Sequence, residues 1–200
     1  MTDGAAPTVI GIDFDNTLVT YDAIFRALAL EAGLIGPEVP MNKRAIRDDV
    51  RRTWGDLAWQ ALQGKAYGPR LAEAEPAAGA RAFVDRCRAA GIPVLVISHK
   101  TAYATVDPSA TPLRQAALDW LAAHGFMPLP VRFGATREEK LGHIRAAGCT
   151  HFIDDLEETF REPGFPSQVQ GILYAPAGAA VQDLPVVRSW AEIMARFFHD

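Results

Sequence analysis

Two carboxylates separated by one residue, Asp13 and Asp15, follow an apolar run at residues 9–12. On an extended chain, side chains two residues apart point in the same direction, so both carboxylates face one point after a buried strand. Two negative charges held this close are costly unless a cation or a shared proton offsets their repulsion. The pattern predicts a magnesium site at which one carboxylate attacks phosphorus and the other transfers a proton. A solvated turn is the alternative interpretation of the same residues.

A hydroxyl closes a second apolar run, because Ser98 follows residues 94–97. A small hydroxyl at the end of a strand can donate to a non-bridging oxygen of a phosphate group. His99 and Lys100 come next, and either could contact a substrate, although exposure in a loop is the expectation for both. Many strands end in serine, so Ser98 gains weight only from its place among the other signals.

Lys140 lies at the start of a predicted helix, and a second pair of acids lies at the end of a later predicted strand. Residues 136–139, Thr-Arg-Glu-Glu, have the pattern of a capping box, which places Lys140 in the first turns of a helix. A cation gains nothing from the helix dipole there, which is consistent with anions opposite it, although a surface lysine is the alternative. Asp154 and Asp155 follow an apolar run, and Glu158 lies close behind them as a loop anchor or a solvated acid.

The elements that must position these residues are predicted from one recurring pattern. At Gly91, Gly125 and Gly148 a helical segment ends in glycine and a short apolar segment follows, which is typical of helices alternating with buried parallel strands. The predicted strands lie near 8–13, 93–98, 130–133, 150–154 and 169–174, and the predicted helices near 79–90, 112–124, 136–147 and 189–198. This alternation predicts an α/β fold with a doubly wound, mainly parallel five-stranded sheet.

Residues 21–78 interrupt the alternation with apolar residues at helical spacing and no strand pattern. The domain prediction is therefore an α/β core at 1–20 and 79–200, with a small all-helical insertion at 21–78. Ligands of open α/β sheets bind beyond the carboxyl ends of the strands, so an insertion at this end can cover the site. Trp54 and Trp59 are expected in the core of the insertion, with a dimer surface as the alternative.

A Gly-flanked loop is predicted at residues 63–70, with Gly64 ending the helix before it. Lys65, Tyr67 and Arg70 in this segment are candidates for substrate contact, since two cations and an aromatic ring could lean over a ligand as a lid. A solvated loop between helices is the alternative interpretation.

The order of these residues resembles the haloacid dehalogenase superfamily, whose first motif reads Asp-x-Asp-x-Thr. The resemblance implies that Asp13 is the nucleophile, that Asp15 is the general acid/base and that Thr17 is a supporting hydroxyl. It implies that Ser98 and Lys140 bind the phosphate group, with His99 as a further candidate for substrate contact. Asp154 and Asp155 match the acidic fourth motif. It also implies Mg²⁺ as the cofactor, held by Asp13, the backbone carbonyl of Asp15, and Asp155, with Asp154 as a ligand or a neighbour of one. The helical insertion then corresponds to a cap.

The chemistry implied by the resemblance is hydrolysis of a phosphate ester through an aspartyl-phosphate on Asp13. The haloacid dehalogenases lack an acid at the position of Asp15, so its presence favours phosphate esters over carbon–halogen bonds. The implied partner is a small phosphorylated metabolite, such as a sugar phosphate or a nucleoside monophosphate. The alternatives are a phosphotransferase or phosphomutase with the same motifs, a nucleic-acid end phosphatase, and a non-catalytic protein that binds a phospholigand.

Composition narrows the partners of this 200-residue chain. The net charge is −4, and no long run of Lys or Arg occurs, so nucleic-acid binding is not favoured. No stretch of about 18 apolar residues and no basic-then-apolar leader is present, so no membrane association is expected and a cytoplasmic location is predicted. Cys87 and Cys149 have no spacing motif and are expected to be buried, reduced thiols. Monomer and homodimer both remain open.

Overall fold

The computed structural model of the chain describes residues 7–106 and 109–198. The strands are β1 Ile10–Ile12, β2 Val19–Thr20, β3 Glu75–Pro76, β4 Val94–His99, β5 Val131–Gly134, β6 His151–Asp154, β7 Gln170–Tyr174 and β8 Val186–Val187. The helices are α1 Asp22–Glu31, α2 Lys43–Trp54, α3 Asp56–Tyr67, α4 Ala80–Ala89, α5 Leu113–Ala123, α6 Arg137–Ala146, α7 Glu157–Arg161 and α8 Trp190–Phe197, with a short 3₁₀ turn at Leu71–Glu73.

The chain forms two compact units. The core unit contains the described parts of 1–18, 76–100 and 125–200, and the helical unit contains 19–75 and 101–124. The helical unit thus includes α5 as well as the helices of the predicted insertion. In this unit Trp120 of α5 donates its indole N–H to the carbonyl of Ala74 at 2.8 Å. The division of the chain at 21–78 stays a prediction about domains.

The core unit is built on one six-stranded sheet in the order β5-β4-β1-β6-β7-β8. Every neighbouring pair is parallel. The predicted α/β class is confirmed, and each of the five predicted strands is present within three residues of its expected limits. The sixth, β8, has only two residues, too few for a periodic signal.

Strand β1 lies at the centre of this sheet and is fully buried. Its residues pair with β4 on one side and β6 on the other, so Ile12 lies beside both Val96 and Ile153. Gly11 is required here, because a Cβ at this position would lie 2.6 Å from the ring of Phe152. The residues that follow β1 therefore lie at the middle of the carboxyl edge of the sheet.

Apolar side chains from α6 and the sheet form one face of the core. The cluster contains Leu95, Ile97, Leu141, Ile144, Cys149, Phe152 and Val169. Residues alternate along a strand, so Val94 and Val96 point to the opposite face of the sheet. Cys87 and Cys149 are free, buried thiols, and burial raises the pKa of each to about 11. Both sulfur atoms are thereby kept protonated at neutral pH.

The helical unit packs α1, α2 and α3 against one another around aromatic rings. Phe25 of α1 stacks on Trp59 of α3 with ring centroids 4.6 Å apart, and both side chains are buried. The expected place of Trp59 in this core is confirmed. Helix α2 begins where the Asn42 side chain accepts a hydrogen bond from the N–H of Ala45 at 3.0 Å.

Three sequence-based expectations for this unit are wrong. Trp54 is 54% exposed, and its indole N–H donates to the carbonyl of Leu34 at 2.9 Å. Helix α3 continues through Gly64 to Tyr67, because Ala66 is buried and extends the apolar face. Residues 21–78 are not wholly helical, since β3 pairs with β2 in a two-stranded sheet.

Within the described residues, no helix has both the length and the apolar character needed to cross a membrane.

Candidate active site

The carboxyl ends of three adjacent strands bring the chemically active residues of the core unit together. Asp13 follows β1, Ser98 lies in β4 and Asp154 ends β6, and these strands are neighbours in the sheet. The backbone N–H of Asp13 donates to the carbonyl of Ile153 at 2.9 Å, so the parallel pairing continues to the start of the site. Strand order therefore explains why Ser98 and Asp154, which are 85 and 141 positions from Asp13 in sequence, lie at the same edge of the sheet as Asp13.

The loop after β1 turns sharply at Asn16. This residue has a φ of 59°, in the left-handed region that asparagine tolerates better than most side chains. The N–H of Leu18 donates to the carbonyl of Phe14 at 3.0 Å, which closes the turn. Trp190 of α8 donates its indole N–H to the carbonyl of Thr17 at 3.2 Å. These contacts hold the two acids of the loop in a defined orientation.

Lys140 enters the site from the first turns of α6. The predicted N-cap is confirmed, since the hydroxyl of Thr136 accepts a hydrogen bond from the N–H of Glu139 at 3.1 Å. Gly134 allows β5 to end against this turn, because a Cβ there would lie 2.7 Å from the backbone nitrogen of Lys140. The start of α6 is thus packed tightly enough to aim the lysine at the neighbouring strand ends.

The ammonium of Lys140 bridges two buried carboxylates. Its Nζ lies 2.7 Å from Oδ1 of Asp13 and 2.7 Å from Oδ2 of Asp154. Burial acts to lower the pKa of Lys140, but the charges of Asp13 and Asp154 outweigh it and raise the pKa above its ordinary value. The other oxygen of Asp154 accepts a hydrogen bond from the N–H of Leu156 at 3.0 Å. Lys140 is therefore a permanently charged clamp between β1 and β6.

Asp13 has an unusual proton affinity in this surrounding. Burial raises its pKa, Lys140 lowers it, and the charges of Asp154 and Asp15 raise it again, to a value of about 7. A carboxyl group with this pKa keeps its proton up to about neutral pH, because Lys140 only partly offsets the cost of burying its negative charge. A further cation would stabilise the ionised form.

Asp13, Asp154 and Asp155 form a cluster in which one carboxylate oxygen from each residue lies within 4.8 Å of the other two. Hard oxygen donors of this kind are what Mg²⁺ prefers, usually with one or two carboxylates and several waters. The donor set and the raised pKa of Asp13 both fit a divalent cation. The carboxylate of Asp15 is not part of this cluster.

Two buried hydroxyls of the core unit have no hydrogen-bond partner in the described part of the chain: Thr17 Oγ1, in the loop that carries Asp13, and Ser98 Oγ, in the neighbouring strand β4. A buried polar group left unsatisfied costs about 1–3 kcal/mol. The resemblance implies a supporting hydroxyl at Thr17 and phosphate binding at Ser98. A hydroxyl in this condition can donate a hydrogen bond to an oxygen of an anionic ligand.

Lys100 is a site residue that the sequence analysis assigned to an exposed loop, and that expectation is wrong. The residue is 4% exposed, and its Nζ lies 3.0 Å from Oδ2 and 3.2 Å from Oδ1 of Asp15. The period of two along β4 supplied a signal, because it places residue 100 on the same side as Ser98. The side chain of His99 points to the opposite face of β4 and is exposed, and its Nε2 lies 3.0 Å from the carbonyl oxygen of Ala135.

The remaining candidates belong to the helical unit. Lys65 is exposed, and the ring of Tyr67 packs edge-on against Tyr21 with centroids 4.9 Å apart. Arg70 pairs with Glu31 at 2.9 Å and also with Glu73. A substrate anion would have to compete with these two carboxylates for the guanidinium, so substrate contact by Arg70 stays a prediction.

Comparison with known proteins gives matches among solved structures alone, since no family model and no curated protein matches the chain. A hydrolase of the HAD type from Bacillus subtilis, crystallised with magnesium, is 12% identical with a TM-score of 0.62, covering 98% of this chain and 100% of that one. A HAD phosphatase from Thermococcus onnurineus is 8% identical with a TM-score of 0.53, covering 95% and 97%. An L-2-haloacid dehalogenase is 13% identical with a TM-score of 0.56, covering 96% and 99%.

The chain therefore has the fold of the haloacid dehalogenase superfamily of hydrolases. The four motifs that suggested this resemblance lie at strand ends or at the start of a helix in the core unit.

Proposed function

We propose that this chain is a magnesium-dependent phosphatase of the haloacid dehalogenase superfamily, which hydrolyses a small phosphorylated metabolite through an aspartyl-phosphate on Asp13. One observation carries the proposal. Lys140 bridges Asp13 and Asp154 at 2.7 Å each, and the buried hydroxyls of Thr17 and Ser98 have no hydrogen-bond partner among the described residues. A nucleophile, a fixed cation and two hydroxyls in one place suit the transfer of a phosphoryl group.

In the first step, a carboxylate oxygen of Asp13 attacks phosphorus as the bond to the ester oxygen breaks. The leaving oxygen takes a proton from the carboxyl group of Asp15 and departs as an alcohol. Lys140 and the hydroxyl of Ser98 donate to the phosphoryl oxygens. The products of this step are the alcohol, an aspartyl-phosphate and an ionised Asp15.

In the second step, water attacks phosphorus and gives a proton to the carboxylate of Asp15. The bond between Asp13 and phosphorus breaks, which releases inorganic phosphate and restores Asp13 as a carboxylate. Asp15 ends the cycle protonated, as it began. The net reaction consumes one ester and one water, and yields one alcohol and one phosphate.

Mg²⁺ would be held by Asp13 and Asp155, with Asp154 beside them and the backbone carbonyl of Asp15 as a further oxygen donor. Bound there, the ion would neutralise charge on the phosphoryl oxygens and on the carboxylates. Both oxygens of Asp154 already accept hydrogen bonds, from Lys140 and from the N–H of Leu156, which favours a place for Asp154 beside the ion. The Bacillus subtilis relative bound to magnesium supports this choice of metal.

A phosphate ester is favoured over a carbon–halogen bond because of Asp15. Dehalogenation needs no proton for its halide leaving group, whereas an alkoxide does. We infer that the helical segment 21–78 acts as a cap that selects a sugar phosphate or a nucleoside monophosphate. Its insertion into the chain directly after the first motif supports this role.

The test is release of phosphate from p-nitrophenyl phosphate and a panel of metabolite phosphates, with Mg²⁺ or with EDTA. Wild-type turnover should require Mg²⁺, and Asp13→Asn should lower kcat by at least about a thousandfold. Asp48→Asn serves as the control, because that carboxylate is 58% exposed on α2. Turnover that survives in Asp13→Asn would contradict the proposal.

The same assay separates the alternative functions. Transfer to an added alcohol in preference to water would indicate a phosphotransferase or phosphomutase. Faster hydrolysis of an oligonucleotide 3′-phosphate than of small esters would indicate a nucleic-acid end phosphatase. Tight binding of a phospholigand without turnover would indicate a binding protein.

A further inference from the structure

Each of the two carboxylates in the first motif has a buried lysine of its own. Lys140 contacts Asp13 and Asp154, while Lys100 contacts Asp15. The resemblance assigned a role to Lys140 alone. The side chain of Lys100 is 3% exposed and that of Asp15 is 21% exposed, so the pair lies in the wall of the site with the carboxylate toward the open side.

Contacts of both its backbone and its ammonium group fix the position of Lys100. Its backbone N–H donates to the carbonyl of Gly134 at 2.9 Å, which continues the pairing of β4 with β5. Its Nζ lies 5.2 Å from the ring centroid of Phe14, within the range of a cation–π contact. The ammonium is therefore held between strand β4 and the loop that carries Asp15.

The ammonium contacts both oxygens of the Asp15 carboxylate, at 3.0 Å and 3.2 Å. A two-point contact of this kind opposes rotation of the carboxylate about its terminal bond. A buried ion pair contributes little net stability, because desolvation of the two charges offsets their attraction. Orientation of Asp15 is thus the main physical consequence of the pair.

We propose that Lys100 is a positioning residue that holds the Asp15 carboxyl group in line for its two proton transfers. This inference rests on the proposed function. Lys100 forms no bond to the reacting atoms and gives up no proton. When the ester bond breaks, the proton moves from Asp15 to the leaving oxygen, and when water attacks, a proton returns to Asp15. Lys100 acts on the rate through the placement of that carboxyl group.

A double-mutant cycle tests this role, with Lys100→Met, Asp15→Asn and the double variant compared with wild type. The readout is kcat/KM for phosphate monoesters whose leaving groups range from p-nitrophenol to a simple alcohol. Proton donation matters most for the alcohol, so Lys100→Met should lower kcat/KM for the alkyl ester by about 10- to 100-fold, within the range of general acid catalysis. The p-nitrophenyl ester should change by less than about threefold, because its leaving group needs little protonation.

In the Asp15→Asn background, Lys100→Met should change kcat/KM for either ester by less than about twofold, since the group that it positions is gone. Lys100→Arg should recover part of the alkyl-ester activity, because a guanidinium can contact both carboxylate oxygens. Arg196→Met removes an exposed cation of α8 and serves as the matched control.

Equal losses in both backgrounds, or equal losses for both esters, would overturn the inference and would assign Lys100 to substrate binding or to structure. Thermal unfolding of each variant identifies loss of folding, and Lys100→Gln then replaces the methionine variant in the cycle. A wild-type protein without turnover overturns the proposed function and this inference together. Wild-type turnover with an additive cycle overturns this inference alone.

Discussion

At the scale of single residues, Lys140 combines a structural and a chemical task. It is 3% exposed and ion-paired with two carboxylates that are themselves buried. Lys140→Met would leave the charges of Asp13 and Asp154 uncompensated in the interior. We predict a loss of about 3–5 kcal/mol in the free energy of unfolding, measured by urea denaturation without metal.

In an Asp13→Asn background, Lys140→Met should lower the free energy of unfolding by less, because one of the two uncompensated carboxylate charges is then absent. Mg²⁺ should restore part of the stability of Lys140→Met, since a divalent cation can neutralise the same carboxylates. A Lys140→Met protein as stable as wild type in EDTA would contradict this account of the clamp.

The site residues of the first motif could be predicted from sequence because they lie close together in the chain. Lys100 could not, because its partner Asp15 is far from it in sequence. Asp13, Asp15 and Thr17 lie within five positions, where the period of two predicts a shared direction for the two carboxylates and the resemblance to the first motif adds Thr17. The pair between Lys100 and Asp15 joins residues 85 positions apart. Its burial depends on how β4, β5 and the first loop pack together, whereas a position just after a strand is ordinarily expected to be an exposed loop.

At the scale of elements, β1 depends on the close approach of its glycine to β6. A methyl group at Gly11 would lie 2.6 Å from Cδ2 of Phe152 and 3.0 Å from Sγ of Cys149. We predict that Gly11→Ala lowers the free energy of unfolding by about 1–3 kcal/mol, because the ring and the strand must shift. Thermal or urea unfolding measures the change.

Gly142→Ala is the matched control for that substitution. Gly142 lies inside α6, and a Cβ there would meet no atom within 4 Å. Alanine should stabilise the helix by up to about 1 kcal/mol. Destabilisation by both alanines would show that loss of glycine, and not the approach to Phe152, is responsible.

Element boundaries were predicted well where glycine, capping residues and apolar periodicity agree. The Thr136 cap and the glycines after α4, α5 and α6 are examples of this agreement. The end of α3 was wrong because Gly64 resembles a stop, whereas the packing of Ala66 extends the helix. The two-residue strands β2, β3 and β8 depend on their partners for stability, so local sequence carries no signal for them.

At the scale of the whole molecule, metal binding and stability should be coupled through Asp13. Its pKa is 3.8 as an ordinary carboxyl and about 7 in the folded protein, mainly because of burial and against the attraction of Lys140. The folded state thus holds this proton more tightly than the unfolded state does. Asp13 consequently opposes folding increasingly as the pH rises between these two values.

Mg²⁺ must displace the proton on Asp13, so its binding should weaken as the pH falls below about 7. We predict that the Kd for Mg²⁺ is lower at pH 8 than at pH 6 by about tenfold in total, as displacement of one proton with a pKa of about 7 requires, measured by calorimetry. The rise in Tm on adding Mg²⁺ should likewise be larger at pH 8. Equal affinity at both values would contradict the placement of Asp13 in the metal site.

The α/β class could be predicted from the alternation of helices and apolar strands along the chain. The grouping of α5 with residues 19–75 could not, because the pattern of 112–124 is that of any amphipathic helix. Its packing partners decide its unit, and these are far away in sequence.

The most direct test of the central claim is detection of a phosphoryl group on Asp13. Asp15→Asn should slow hydrolysis of the intermediate, so this variant is mixed with p-nitrophenyl phosphate and Mg²⁺, quenched in acid and digested for mass spectrometry. We expect one added phosphoryl group on the peptide that contains Asp13, absent with EDTA and absent in the Asp13→Asn, Asp15→Asn double variant. Turnover by the wild type with no phosphorylated peptide in the variant, or with the group on another residue, would contradict it.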